Sequence, residues 1–373
     1  MFVAGEASGD THGAGVAREL QAAGTAVRLV GVGGNEMRSA GVELIEHVDN
    51  LAVMGFVEVL KLVPKHWALL NRIRERLESG SVKLIILVDY PEFNLHWVAA
   101  AAKAAGVPVL YYITPQVWAW RAGRVKTMAA TVTKAAVIFG FEEELLRKDG
   151  VDAVFVGHPL LDRAATIPSR EEARRSLGIG GDQRLLALFP GSRAQEIERH
   201  LDAFVATARR LQEMNQGLRV VVSGAPTVTI DPARCPFPVV VGSSFTVLRA
   251  ADAAICKSGT TTLEAAVAGC PFVIGYRTGA LDYAIASKVV TVPDIGMVNV
   301  VAGKRIVPEF VQSDLDPERM IPVVDDLLDP ASPRRAQMIA GLNDVRSRLG
   351  TPGAAKRVAT IALEIAGRTT ASA

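Results

Sequence analysis

The sequence predicts an α/β protein of two Rossmann-like domains facing each other across a cleft, and three observations carry that reading. Short β-branched runs alternate with longer Ala-, Leu- and Arg-rich stretches, the pattern of parallel strands joined by helices. Each half opens alike: a strand runs into a Gly-containing turn, AGEASGD and then FPGSRAQE, and continues into an amphipathic helix. A chain of 373 residues also exceeds what one hydrophobic core usually supports.

In chain order, strands are expected at 2–4, 27–32, 84–88, 109–113, 135–139 and 153–156 in the first half. In the second half they are expected at 185–189, 219–223, 239–241, 253–256 and 272–276. The first strand is short for a central parallel strand because the chain begins almost at its first turn, so a truncated or misassigned start is one explanation. Pro168 and Ser169 interrupt the pattern ahead of EEARRSLG, which sets the expected domains at 1–165 and 166–350. The remaining 351–373 is expected to form a C-terminal helix with a frayed end. Substrates are expected outside the carboxyl ends of the strands, in the cleft.

Forty-one basic and 39 acidic residues leave a net charge of +2, which gives no reason to expect nucleic acid as a partner. The three cysteines, Cys235, Cys256 and Cys270, match neither a disulfide framework nor a zinc pattern; they read as small buried hydrophobes in a reducing compartment. No uninterrupted apolar run approaches the roughly 20 residues of a membrane span, and the N-terminus lacks the pattern of a signal peptide. A cytoplasmic protein is expected, with attachment to a membrane surface left open.

Several common chemistries are absent as motifs. GVGGNEM at 31–37 lacks the GxGxxG spacing of a dinucleotide site, and neither GxxxxGK[ST], GxSxG nor HExxH occurs. What remains clusters at strand ends. In VDYPEFNL, Asp89 directly follows an apolar strand that Pro91 prevents from continuing; it either faces the cleft or orders the loop as a helix cap. PGSR at 190–193 joins a strand to a helix, where free N–H groups and the helix dipole favour an anion and Arg193 adds a fork suited to phosphate. SGTTTLEAA at 258–266 repeats the device, with Glu264 placed for a ribose, so two anion sites in one domain point to a nucleoside diphosphate. YYITPQVWAWRAGRVK at 111–126 is either a sugar or headgroup surface or a structural aromatic cluster. LAVMGFVEVLKLVPKHW at 51–67 is more apolar than one helix face needs and suits either the core or a membrane interface. His12 and His158 read as structural.

Taken in order, AGEASGD, VMGFVEVL, VDYPEFN, PQVWAWR, FVGHPL, PGSR, SGTTTLE, GYR, NVVAG and PEFVQ resemble the lipid-A-disaccharide synthases, glycosyltransferases of GT-B architecture, over nearly the whole chain. Thr261 and Glu92 depart from the residues common there without touching the expected chemistry. The resemblance implies an inverting transfer from UDP-2,3-diacylglucosamine to 2,3-diacylglucosamine 1-phosphate (lipid X), giving the β-1,6-linked lipid A disaccharide 1-phosphate and UDP. It implies Asp89 as general base and Arg193 as a diphosphate or catalytic contact. Gly191, Ser192, Ser258, Gly259, Thr260, Glu264, Asn299 and Gln312 are then donor-side residues, while Glu6, Ser8 and Gly9 line the acceptor side. Acyl chains would meet Met54, Phe56, Val57, Val59, Leu60 and Val63, in peripheral contact with the cytoplasmic face of the inner membrane. No cofactor or metal is implied, since no DxD-type carboxylate pair is evident, and an oligomer is compatible with the sequence. The alternatives are another UDP-sugar enzyme of this architecture, either the peptidoglycan lipid-precursor transferase or a UDP-sugar 2-epimerase, or an inactive nucleotide- or lipid-binding module. VDYPEFN and PQVWAWR speak against the first two, and intact Asp89 and Arg193 against the third.

Overall fold

The computed structural model describes residues 1–24, 27–51, 56–118, 123–279, 283–284 and 293–371, with the side chains of 56–63 and 368–371 excluded. Met54 therefore lies outside the described residues, as do the side chains of Phe56, Val57, Val59, Leu60 and Val63. The chain divides into two units, Met1–Pro159 with Leu349–Ala373, and Leu160–Arg348.

The first unit holds a seven-stranded parallel sheet in the order β3-β2-β1-β4-β5-β6-β7. Its strands are β1 (Phe2–Ala4), β2 (Val30–Gly33), β3 (Glu43–His47), β4 (Ile85–Val88), β5 (Val109–Tyr112), β6 (Lys134–Val137) and β7 (Ala153–Phe155). Side chains alternate between two apolar layers: Ile85, Leu87 and Tyr111 enter one, Ile86, Val88, Leu110 and Tyr112 the other. Helices cover both faces, as a parallel sheet requires. Tyr111 and Tyr112 are thus core residues, while 119–122 of the aromatic segment at 111–126, Trp120 and Arg121 among them, lie outside the described residues. The helix Ala354–Ala371 returns to this unit: Val358, Ala359, Ala362 and Ile365 join the layer beneath the helix Ala7–Ala22. Arg357 fastens it by donating to the Val156 carbonyl at 2.8 Å and the Thr351 carbonyl at 2.6 Å.

The second unit holds a six-stranded parallel sheet in the order β10-β9-β8-β11-β12-β13. Its strands are β8 (Leu185–Phe189), β9 (Arg219–Gly224), β10 (Val239–Val241), β11 (Ala253–Lys257), β12 (Phe272–Tyr276) and β13 (Glu309–Val311). Two strands were not expected from sequence. β3 is an edge strand whose glutamates at 43 and 46 disguise its alternation, and β13 has only three residues. Cys235, Cys256 and Cys270 are free and buried. Among the described residues no helix is long and apolar enough to cross a membrane, and no group of three or more His, Cys, Asp or Glu is placed to hold a metal ion.

Both sheets share one topological feature. The strand order reverses between β1 and β4 in the first unit and between β8 and β11 in the second. Chains leaving neighbouring strands at such a point go to opposite faces, which opens a crevice at their carboxyl ends.

Candidate active site

At the first switch point β1 runs through Gly5 to Glu6, which begins the helix Ala7–Ala22, and β4 runs directly into Asp89. Glycine is required at Gly5, because a Cβ there would stand 2.1 Å from the Tyr90 ring. Gly9 lets the helix approach the sheet, where a Cβ would lie 3.2 Å from the Ala4 Cβ. The Ser8 hydroxyl donates to Glu6 Oε1 at 2.7 Å, and both residues are exposed. Asp10, not singled out from sequence, is buried and accepts from the backbone N–H groups of Gly34 (2.6 Å), Glu36 (3.0 Å) and Met37 (3.0 Å), which fixes the start of the helix Asn35–Ser39.

Asp89 and Tyr90 both take left-handed backbone angles, φ 48° and 55°, a conformation non-glycine residues rarely hold in succession. The helix Pro91–Phe93 that follows begins at Tyr90, whose own side chain does not cap it. Burial, reinforced by the charge of Glu6 and opposed by the Tyr90 N–H, pushes the Asp89 carboxyl up to about 6. Such a group is a carboxylate at neutral pH yet a better proton acceptor than an exposed aspartate. Glu92 is instead tied to the buried Arg124. The Tyr90 hydroxyl is 2.6 Å from His66 Nε2.

Burial shifts two further ionisable groups near the ends of β6 and β7 towards their uncharged forms. Glu142 receives the Trp118 indole N–H at 3.0 Å and the Phe139 N–H at 3.3 Å, and burial pushes its carboxyl up to about 7. His158 lies against Phe139, and burial, with the neighbouring His12, takes it down to about 3. It stays neutral, in keeping with a structural role.

At the second switch point β8 leads into Pro190-Gly191-Ser192-Arg193 and then the helix Ala194–Met214; β11 leads into Ser258-Gly259-Thr260 and the helix Thr261–Ala268. Glu196 and Lys257 tie the two turns together. Glu196 Oε2 accepts from the Ser192 N–H at 2.8 Å, while its Oε1 meets Lys257 Nζ at 2.8 Å. Burial raises the Glu196 pKa, but Lys257 and the Ser192 N–H outweigh it and leave the carboxylate below its ordinary range. Gly191 has φ 136°, and a Cβ there would come within 2.4 Å of the Glu196 Cβ. Lys257 Nζ lies 3.5 Å from where a Gly259 Cβ would be, directly over the second turn. Arg193, two-thirds exposed, sits at the helix N-cap and is 3.9 Å from Glu196 Oε1. Sequence reading missed Glu196 and Lys257; an Arg-x-x-Glu at a helix start was the available signal for the first.

His200 links this helix to β12. Its Nδ1 is 2.6 Å from the Glu196 carbonyl, so Nδ1 carries the proton, and Nε2 accepts from the Arg277 N–H at 2.9 Å. Burial lowers its pKa, consistent with the neutral ring that this pairing needs.

The remaining residues expected on the donor side divide by what their polar atoms already do. The Ser258 hydroxyl donates to the Ile295 carbonyl at 2.8 Å, and Thr260 is exposed at the turn. Glu264 is buried with one oxygen 3.3 Å from Arg163. Asn299 is fully buried, and its carboxamide is committed within the protein. It donates to the Val307 carbonyl and Glu309 Oε1, both at 2.8 Å, and accepts from the N–H groups of Ile306 (3.0 Å) and Val307 (2.9 Å). Gln312 pairs both ends of its amide with the Thr278 backbone, at 3.0 and 3.3 Å. Asn299 and Gln312 therefore shape the loops around the turn rather than present free groups to it.

Comparison with solved structures bears on the fold. The chain is similar to a UDP-N-acetylglucosamine 2-epimerase from Neisseria meningitidis (TM-score 0.64, 12% identity, 97% of this chain and 99% of that one). It is also similar to a putative UDP-N-acetylglucosamine 2-epimerase from Listeria monocytogenes (TM-score 0.67, 12% identity, 99% and 96%) and to the glycotransferase of kitacinnamycin (TM-score 0.63, 17% identity, 98% and 98%). Two parallel-sheet Rossmann-like domains of this kind define the GT-B class. Residues 1–334 match the family model for lipid-A-disaccharide synthetase. The chain is 40% identical over 377 residues to the lipid-A-disaccharide synthase of Geobacter sulfurreducens, covering 99% of this chain and 97% of that one. It is 39% identical over 372 residues to that of Myxococcus xanthus, covering 98% and 97%. The chain belongs to the lipid-A-disaccharide synthase family: it is a glycosyltransferase that forms the disaccharide of lipid A.

Proposed function

We propose that the chain transfers the sugar of UDP-2,3-diacylglucosamine to the 6-hydroxyl of 2,3-diacylglucosamine 1-phosphate, with inversion. The observation that carries this reading is the position of Asp89 and of the Arg193 and Ser258 turns, each at the switch point of its own sheet. Asp89 takes the hydroxyl proton as oxygen bonds to the anomeric carbon. The bond from that carbon to the diphosphate breaks, and UDP leaves with the electron pair. Charge growing on the diphosphate falls to the N–H groups of Gly191 and Ser192, to Arg193, to the Ser258-Gly259-Thr260 turn and to Lys257. Glu6, Ser8 and Gly9 border the acceptor, and Glu264 lies on the ribose side. The stretch 54–63 meets the acyl chains at the cytoplasmic face of the inner membrane.

UDP release is expected only when both acylated glucosamines are present, and it is expected to persist in excess EDTA because the proposed charge stabilisers are protein groups. Release from the donor alone at the same rate, or none with both, would contradict the reading.

The pH dependence follows from Asp89. A base must be unprotonated, so kcat/KM should fall tenfold per pH unit below about 6, the value to which burial and Glu6 push its carboxyl. A pH profile with its acidic limb near the ordinary aspartate range would show that another group supplies the base.

A further inference from the structure

We propose that Asn94 and Tyr111 are positioning residues that clamp the carbonyl of Asp89 and thereby hold its carboxylate in the aim that proton transfer needs. The inference rests on Asp89 being the base.

Two consecutive left-handed residues at a strand end cost free energy and persist only where their surroundings over-determine them. The surroundings here are specific. Asn94 is fully buried, and its Nδ2 reaches three carbonyls at once: Asp89 at 2.8 Å, Val3 at 3.1 Å and Val88 at 3.4 Å. One carboxamide thus joins the ends of β1 and β4, the two strands that make the switch point, to the first residue beyond them. Tyr111, fully buried in β5, donates its hydroxyl to the same Asp89 carbonyl at 2.9 Å. The Asp89 N–H donates to the Tyr112 carbonyl at 3.0 Å, so both backbone polar groups of Asp89 are fixed from β5. Asn94 Oδ1 is buried without a hydrogen-bond donor. Turning the amide over would face that oxygen with three carbonyl oxygens, so the orientation is set by the clamp and leaves one acceptor unsatisfied. A loop needing only to be ordered has no use for two buried side chains on one carbonyl. A base whose carboxylate must meet one hydroxyl does, since a misplacement of about 1 Å can cost on the order of 100-fold in rate.

The test is a double-mutant comparison with four readouts: kcat, acceptor KM, UDP affinity and melting temperature. Tyr111→Phe keeps the ring in the core, and the Asp89 carbonyl retains its bond from Asn94. It is expected to lower kcat about 10-fold, within the range for a misplaced group, with acceptor KM, UDP affinity and melting temperature close to the parent. Added to Asp89→Asn, the same change should cost nothing further, because the group it aims is gone. Asn94→Ser is expected to act in the same direction; if it fails to fold, Tyr111→Phe carries the test. An equal loss from Tyr111→Phe in both backgrounds, or parental kcat with Asp89 present, overturns the positioning role. Failure of the base reading shows separately, as near-parental turnover in Asp89→Asn alone.

Discussion

Asp89→Asn is expected to lower turnover by about 100- to 10,000-fold, the range that general-base assistance contributes. UDP affinity should stay at the parental value, because the groups assigned to the diphosphate belong to the other unit. The variant should also be more stable than the parent at neutral pH. The Asp89 pKa rises from 3.8 unfolded to about 6 folded, so the folded state binds more protons between those values and loses stability as pH rises through them. At pH 7 the whole cost, on the order of 2 to 3 kcal/mol at 1.36 kcal/mol per pH unit, is in place, and asparagine removes it. A gain in melting temperature joined to a loss of turnover marks a residue kept for chemistry. A capping aspartate behaves otherwise: asparagine caps almost as well, and both quantities would stay near the parent.

Arg193→Met is the second large effect. The side chain is two-thirds exposed and touches Glu196 only at 3.9 Å, so its removal costs the fold little, about 0 to 1 kcal/mol for an exposed pair. Loss of the charge at the helix start should reduce turnover by about 100- to 1,000-fold, as removal of a preorganised group facing developing negative charge does. UDP binding should weaken with it, and the methionine stem leaves local packing intact. Turnover assays beside thermal melts and UDP titration separate these effects; parental turnover would remove Arg193 from the mechanism.

How far the sequence disclosed this site depends on which residues needed partners far away in the chain. The placement of Asp89, PGSR and SGTTT at strand ends was legible because strand, turn and helix start are adjacent in sequence. Strand ends were legible to within a few residues, as at β2, which begins at Val30 where a start at 27 was expected. Lys257 was not legible as part of the PGSR turn, since its contact with Glu196 spans 61 residues, and no periodicity reports such a pairing. Asn94 lies within a motif that was noted, yet its bond to Val3 spans 91 residues and emerges only once β1 and β4 pair. Asn299 and Gln312 show the converse. They were expected to contact the donor, but hydrogen bonds to Val307, Glu309 and Thr278 commit their amides within the protein, which only the packed structure reveals. The return of the helix Ala354–Ala371 to the first unit was likewise hidden, because it depends on apolar contacts with residues more than three hundred positions earlier.

The central claim is a division of labour: the first unit supplies the base and the second holds the departing diphosphate. UDP dissociation constants for the parent, Asp89→Asn and Arg193→Met, measured by calorimetry under one set of conditions, test it most directly. The account predicts the parental value for Asp89→Asn and binding weakened by roughly tenfold for Arg193→Met, the equivalent of one charge-assisted contact of about 1.4 kcal/mol. Weakened binding in Asp89→Asn with parental binding in Arg193→Met would contradict it.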